Sequence, residues 1–547
     1  MDLAKLADRL YPDISTLPED MEKRYPKRNL PADAKVTRFA PSPTGFVHFG
    51  SLLPTRVSER LAHQSGGIMF LRIEDTDSKR YVEGAVENMI KTYDYYNIKF
   101  DEGATIDGDV GDYGPYRQSE RKEIYQTYAK QLIREGKAYP CFCTAEELDE
   151  MRAQQEAAGE DPGYYGKWAK WRDASDTEIE AALENGIPFA LRFRSEGDPS
   201  RKIKFTDLVK GEVTVSENFI DHVILKSDGI PTYHFAHAVD DQLMGTTHVV
   251  RGEEWLPSLP FHIQLFKALG FRLPKYLHIS QLMKLEDGNK KKLSKRDNEA
   301  AVSYFTEKGY SYEAVVEYIM TLLNSNYEEW RAANPDKSYT EFPFSVKKMS
   351  PSGCLFDEDK LNDVSRNVVS RMTADKVYDD VTEWAEHFDP ELYSCLTADK
   401  EKAKRIFSIG RGGKKPRKDI TIWEDVKDYV SLFYDNLFKV IDPWPDEFSK
   451  SDIKAALEGF IKSYDPADDQ SAWFDKVKAV SAELGFAPEM KLYRSEPEKY
   501  KGSVADISMF IRLAVTGRMN SPDLYEIMSI IGAETVKARI SAAVDSL

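Results

Sequence analysis

From residue 36 onward the apolar positions fall into two kinds of block, short continuous runs and repeats at helical spacing. Val36-Thr37-Arg38-Phe39 reads as a short buried strand. Leu53, Val57 and Leu61 then recur at i, i+4 and i+8, the spacing of one helix face. Ser51 is a candidate cap for that helix, Pro54 suits its first turn, and Gly66-Gly67 closes it. Ile68-Met69-Phe70-Leu71-Arg72-Ile73 follows as a second apolar run. Strand, loop, helix, strand is a βαβ unit. In such units ligands collect at the carboxyl ends of the strands, against the helix N-terminus.

Other segments have their own periods. Leu3, Leu6, Ala7 and Leu10 fit one amphipathic helix, and Tyr25 to Pro31 reads as a linker after it. A helix is expected from about Lys79. Ala190 to Arg194 alternates as a strand, and Phe205 to Val213 reads as a strand pair with a turn. Residues 300 to 375 are mainly helical in pattern, with Asp357 to Asn362 at the start of a helix. Beyond 376 helical runs dominate: Val426 to Val440, Lys454 to Tyr464, Trp473 to Leu484, Asp506 to Thr516 and Asp523 to Ala533.

A chain of 547 residues is too long for one core, so three or more domains are expected. Hydrophobic residues at 41% and charged residues at 31% give a soluble balance. No run is apolar and long enough to span a membrane, and no basic-then-apolar leader opens the chain. Four cysteines argue against a disulfide scaffold, so a reducing, cytoplasmic location is expected. The net charge of −17 counts against a nucleic-acid partner, because phosphate contacts need Lys and Arg. Basic clusters at Lys290 to Arg296 and Arg411 to Lys418 lessen that objection.

The loop between the first strand and helix, Ala40-Pro41-Ser42-Pro43-Thr44-Gly45-Phe46-Val47-His48-Phe49-Gly50-Ser51, holds a histidine, two glycines and several hydroxyls. Glycines there let backbone N–H groups approach a phosphate. Alone, the loop is equally a Pro/Gly turn with a surface histidine. Alone, Lys290-Lys291-Lys292-Leu293-Ser294-Lys295-Arg296 is a basic surface run. Together, a His-x-Gly loop opening a helix and a distant Lys-x-Ser-Lys loop resemble the two ATP-binding motifs of class I aminoacyl-tRNA synthetases. The stretches Leu71 to Asp77, Gly114 to Arg121, Asp228 to Ala236, and Asp240-Asp241 with Thr247 to Trp255 resemble motifs of glutamyl-tRNA synthetases. The resemblance is strong over about residues 34 to 360.

The resemblance implies an α/β fold. A Rossmann-like class I catalytic domain would carry an inserted α+β acceptor-binding domain. An all-helical C-terminal anticodon-binding region of the bacterial type would follow. The implied division is an N-terminal extension (1–33), the first half of the catalytic domain (34–136), the insertion (137–225), the second half with the Lys-x-Ser-Lys loop (226–299), a helical stem-contact domain (300–375) and the helical anticodon-binding domain (376–547).

The implied activity is ATP-dependent attachment of glutamate to tRNA(Glu) through a glutamyl-adenylate, by a monomer without a membrane partner. His48, Lys292 and Lys295 would be catalytic. ATP would meet Ser42, Thr44, Gly45, His48, Gly50, Ser51, Glu254, Lys292, Leu293, Ser294, Lys295 and Arg296. Glutamate would meet Arg38, Ser42, Glu74, Tyr233, His237, Arg251 and Trp255, with Glu74 on the ammonium, Arg80 just behind it, and the guanidiniums on the side-chain carboxylate. Magnesium would accompany ATP. Ser51 stands where the family has a second histidine, and His237 where some relatives carry Asn.

Many members of the family begin a zinc site with the Cys-x-Cys found here as Cys141 and Cys143. Trp168 and Lys170 stand where the remaining Cys and His would be. Two thiolates do not close a tetrahedral site, so no zinc is expected and Trp168 is expected to pack in its place. Rival readings are a glutaminyl-tRNA synthetase, a truncated relative that glutamylates a tRNA base, a non-catalytic tRNA-binding paralogue, and a plain nucleotidyltransferase.

Overall fold

The computed structural model describes residues 2–286, 288–293 and 301–547. Two compact units divide the chain: Met1–Val302 with Ile319–Asp357, and Ser303–Tyr318 with Glu358–Leu547.

The first unit is built on the expected βαβ element. Strand β1 (Val36–Phe39) pairs parallel with β2 (Ile68–Leu71), and β2 pairs parallel with β3 (Glu102–Thr105). An antiparallel strand, β4 (Gly108–Val110), completes this sheet. Later in the chain, β10 (His248–Gly252) and β11 (Lys275–Ile279) form a parallel pair. Thr247, just before β10, donates its amide to Val36 O at 2.9 Å and accepts the Val36 amide on its hydroxyl at 2.9 Å. The second half of the fold is thereby tied to β1. Gly67 allows β2 to start beside β1, since a Cβ there would stand 2.0 Å from Lys35 O.

Several helices cover these strands. In the N-terminal segment, α1 (Leu3–Leu10) and α2 (Pro18–Arg24) precede β1. Helix α3 (Phe49–Gln64) links β1 to β2, α4 (Ala85–Tyr95) follows β2, and α5 (Lys122–Arg134) follows β4. The expected cap is corrected: α3 begins at Phe49 after His48, and Ser51 lies inside its first turn, donating to His48 O at 2.6 Å. Pro54 falls one turn later than expected, inside the helix. It has no N–H, so the Gly50 carbonyl lacks its usual helical donor. After β2, only a 3-10 turn, Ser78–Arg80, precedes α4.

The segment before β1 holds two helices where one was expected, and Tyr25 to Pro31 follows them as the expected linker. Lys130 of α5 donates to Tyr11 O at 2.9 Å and Ile14 O at 2.7 Å. Arg28 forms a two-pronged pair with Glu102 at 2.8 and 2.9 Å and lies 3.7 Å over the Tyr113 ring. Pro18 with Glu19 and Asp20 was a legible start for α2.

The insertion is α+β, as expected. Strands β5 (Ala138–Cys141), β6 (Ala190–Phe193) and β9 (Val223–Leu225) form an antiparallel sheet, and β7 (Lys202–Asp207) pairs with β8 (Gly211–Ser216) as a hairpin. Helices α6 (Ala145–Ala157) and α7 (Asp176–Glu184) complete it. Trp168 does not fill the place beside the cysteines. Its indole donates to Glu160 at 2.6 Å, while Tyr139, Tyr164, Ala169 and Trp171 pack around Cys141 and Cys143. Lys170 pairs with Glu147 at 2.8 Å.

Helix α8 (Tyr233–Leu243) and helix α9 (Leu259–Ala268) flank β10 in the sequence. The segment with Lys292, expected as a mobile loop, forms strand β13 (Asn289–Lys292), antiparallel to β12 (Leu282–Glu286), with β14 (Cys354–Leu355) on β12's other side. Ser294, Lys295 and Arg296 lie outside the described residues.

The second unit is helical, and no strand is found among its described residues. Lys450–Ser463, Gln470–Glu483, Val504–Thr516 and Leu524–Ile531 match the expected runs, and Ala533–Ser546 adds a further helix. The run from Val426 stops at Val430 with a 3-10 turn, Ser431–Phe433. Arg539 donates to the Leu432 carbonyl at 2.7 Å. Arg411 is committed within this unit, donating to Val369 O and Met372 O. No described helix is long and apolar enough to cross a membrane.

Candidate active site

The carboxyl ends of β1, β2, β10 and β11 and the start of α3 enclose a cavity of about 880 Å³. Strand geometry explains the address: parallel strands with a crossover helix bring their carboxyl ends and the helix N-terminus to one edge. Arg38, Ser42, Thr44, His48, Gly50, Ser51, Glu74, Tyr233, Arg251, Glu254, Trp255, Lys292 and Leu293 all line it. Residues separated by up to 255 positions thus meet as the sequence led one to expect. Among the described residues, two expected ones are not on the wall, Gly45 and His237. Arg80 does reach it, but as an exposed side chain paired with Asp77 at 2.6 Å, rather than behind Glu74.

Below the wall lies a network of buried charges. Arg72 donates to Asp241 at 2.7 Å and to Glu74 at 3.1 Å. Arg38 Nε stands 3.2 Å from Asp241. Arg121 donates to Asp240 at 2.7 Å, with Gln118 and Tyr125 adding bonds of 2.9 and 2.8 Å. Three guanidiniums face three carboxylates, which is how such charges survive burial. The face of α8 explains part of it: Tyr233, His237 and Asp241 follow at i, i+4 and i+8. Tyr233 reaches the cavity. His237, one turn on, is fully buried beneath, between Asp241 at 2.8 Å and the Tyr276 hydroxyl at 2.9 Å.

The network sets the charges. Burial pushes the Glu74 carboxyl up to about 7, against the pull of Arg72 and Arg38. Burial also opposes ionisation of Asp241, but Arg38 and Arg72 outweigh it and hold that carboxyl well below its ordinary value. Burial brings His237 down to about 4 despite Asp241, so its imidazole is neutral at pH 7. Desolvation raises the Tyr233 phenol, which stays protonated.

Arg251 is held differently. Its Nε bonds His278 Nε2 at 2.9 Å, its Nη1 is 3.1 Å from His262 Nδ1, and its guanidinium lies 4.6 Å over the Tyr276 ring. Its Nη2 is buried and has no hydrogen-bond partner among the described residues. Beside it, the Tyr233 and Trp255 rings stack with centroids 4.2 Å apart. His48 and Gly50 stand at the start of α3, and a Cβ on Gly50 would come within 3.2 Å of the His48 ring. The Glu254 carboxylate folds back over Gly252, where a Cβ would meet it at 2.1 Å.

Arg72, Arg121, His262, His278 and Asp207 were not singled out from the sequence. Two signals were available, an arginine inside an apolar run and adjacent aspartates on a helix that is apolar around them. Among the described residues no group of three or more His, Cys, Asp or Glu is placed to hold a metal ion.

The description "tRNA synthetases class I (E and Q), catalytic domain" matches residues 35–363, and "Anticodon binding domain" matches residues 495–544. A glutamate–tRNA ligase of Acetivibrio thermocellus is 50% identical over 544 residues, 99% of each chain. One of Sorangium cellulosum is 45% identical, covering 96% of this chain and 97% of the other. The crystal structure of a glutamate–tRNA ligase from Elizabethkingia meningosepticum in complex with its amino acid superposes with a TM-score of 0.77 at 28% identity, over 94% of this chain and 99% of that one. The chain belongs to the glutamate–tRNA ligases, within the class I tRNA synthetases of the E and Q type.

Proposed function

We propose that this cavity joins glutamate to ATP and passes the glutamyl group to tRNA(Glu). The observation that carries the reading is the meeting of Arg38, Arg251, Tyr233 and Glu74 with His48, Gly50 and Lys292 on the wall of one cavity. Glutamate offers two carboxylates and one ammonium. Arg251, with its uncommitted Nη2, and Arg38 take the side-chain carboxylate, helped by the Tyr233 hydroxyl. Glu74 takes the α-ammonium, and Ser42 and Trp255 complete that end. His237 acts from beneath, by orienting Asp241 within α8 and tying the helix to Tyr276.

ATP lies along Ser42, Thr44, His48, Gly50, Ser51 and Leu293, with its ribose or adenine amine on Glu254. Magnesium arrives with the phosphates. The α-carboxylate oxygen attacks the α-phosphate, the bond to the β-phosphate breaks, and pyrophosphate leaves. Charge builds on phosphoryl oxygens, and cations offset it: Lys292, and Lys295 with Ser294 and Arg296 from the segment outside the described residues. The terminal 2′-hydroxyl of tRNA then attacks the acyl carbon, and AMP departs with the bonding pair. No protein base is required if phosphate oxygens take the proton.

The six-part division of the chain stands as part of this proposal, as do a monomer and a cytoplasmic location. We assign no zinc: the thiols of Cys141 and Cys143 are accompanied by the Tyr164 hydroxyl, 3.6 Å from Cys143, and Lys170 is engaged with Glu147. The absence of strands among the described residues of the second unit favours this reading over a glutaminyl enzyme, whose family has β-barrels there. Aminoacylation of purified tRNA(Glu) with labelled glutamate tests the whole. Glutamyl-tRNA and one pyrophosphate per turnover are expected, and tRNA binding without charging would overturn it.

A further inference from the structure

We propose that Asp207 and His278 are positioning residues for Arg251, so that a turn of the inserted hairpin sets the guanidinium that receives the substrate carboxylate. The inference rests on the reading of Arg251 given above. It begins from what a guanidinium can do: donate only. His278 Nε2, 2.9 Å from Arg251 Nε, must therefore accept, and the imidazole proton sits on Nδ1. That nitrogen lies 2.7 Å from Asp207 Oδ2, an acceptor. The tautomer is fixed from both sides by chemistry.

Asp207 is itself held by several donors. The amides of Val209, Lys210 and His278 reach it at 2.9, 2.8 and 3.1 Å. Burial works against its charge, but these bonds and His278 keep its carboxyl below the ordinary value. The same logic applies to His262, whose Nδ1 accepts from Arg251 and whose Nε2 is 2.8 Å from His234 Nδ1. Burial pushes both imidazoles below their ordinary value, His278 against the pull of Asp207. Two neutral acceptors thus hold two corners of Arg251 and leave Nη2 uncommitted. A carboxylate in either place would orient the group equally well but would consume its charge, as Asp241 does for Arg72. Setting the anion one imidazole further away keeps the orientation and leaves the charge for the ligand.

The turn does more than hold Arg251. Lys210 Nζ pairs with Glu253 at 2.5 Å, bonds Ser280 Oγ, and donates to Pro351 O at 2.6 Å. Ser280 and Gln281 are cavity wall. Neither Asp207 nor His278 lines the cavity, so both act through Arg251.

The test is ATP–pyrophosphate exchange in the presence of tRNA(Glu), with KM for glutamate and for ATP measured separately in the full chain. Asp207→Asn and His278→Leu are expected to raise the glutamate KM at least ~10-fold while the ATP KM stays within ~2-fold. His278→Gln, whose amide can accept from Arg251 and donate to Asp207, is expected to recover most of the loss. Should His278→Leu fail to fold, Asp207→Asn and His278→Gln carry the test. An unchanged glutamate KM in folded Asp207→Asn, or parallel rises in both KM values, overturns the proposal. Wild-type chain with no glutamate-dependent exchange would instead remove the reading of Arg251 on which it rests.

Discussion

Glu74 accepts a hydrogen bond from Arg72 Nη2 at 3.1 Å, and its carboxyl titrates near 7 because burial outweighs that bond. An ammonium ligand needs the ionised form. The apparent KM for glutamate should therefore fall roughly tenfold between pH 6 and pH 8 and level off above. Glu74→Gln should raise the KM and flatten this dependence. The effect on stability has the opposite sign: a carboxyl raised from 4.5 to about 7 contributes stability at low pH that is lost as pH rises through about 7. The melting temperature of Glu74→Gln should therefore gain on wild type between pH 5 and pH 8. A KM independent of pH in wild type counts against Glu74 as the ammonium partner.

Gly252 and Glu254 make a local test of the ATP end. An added Cβ would lie 2.1 Å from the Glu254 carboxylate, the far end of a flexible, exposed side chain. The backbone at residue 252 has φ −67°, which any residue adopts. Gly252→Ala should thus displace Glu254 without unfolding β10. A raised ATP KM with the melting temperature held within about 2 °C is expected. An unchanged ATP KM would remove Glu254 from the ATP site.

Lys292 ends an exposed strand and reaches the cavity, so its removal costs little folding energy. If it offsets charge on the phosphoryl oxygens, Lys292→Ala should lower kcat in exchange by roughly 10²-fold with a small effect on glutamate KM. A change confined to KM for glutamate would speak against that role.

Arg28 tests whether the N-terminal helices are part of the catalytic body. Its guanidinium loses Glu102, Met244 O and the Tyr113 ring together in Arg28→Ala. Leaving the half-buried Glu102 with only the Tyr116 hydroxyl as partner should cost roughly 1–3 kcal/mol in denaturant unfolding of the first unit. A loss under about 1 kcal/mol would mean that the segment is only loosely attached.

What the sequence disclosed follows from what periodicity can report. Val36–Phe39 and Ile68–Leu71 were legible as continuous apolar runs buried on both faces, and Leu53 to Leu61 through its helical spacing. The cavity wall was legible through the short motifs that carry it. His237 was misplaced by one turn of helix: four residues beyond Tyr233 lies the same face, but deeper. Lys292 was read as loop because its basic run is charged throughout, although Asp287-Gly288 in the sequence is a two-residue hairpin signal. The Arg72–Asp241 and His278–Asp207 pairs were illegible for another reason. They join residues 169 and 71 positions apart, and no local pattern names a distant partner.

The central claim is that Arg38 and Arg251 make this cavity select a side-chain carboxylate. The measurement that tests it most directly compares kcat/KM for glutamate and glutamine in ATP–pyrophosphate exchange, with tRNA(Glu) present, in wild type and in Arg251→Gln. Glutamine has the same length and shape but cannot pair with a guanidinium as an anion. Wild type should prefer glutamate by at least ~10²-fold, and Arg251→Gln should lose most of that preference. Equal use of the two amino acids by wild type, or a preference that survives in Arg251→Gln, would contradict it.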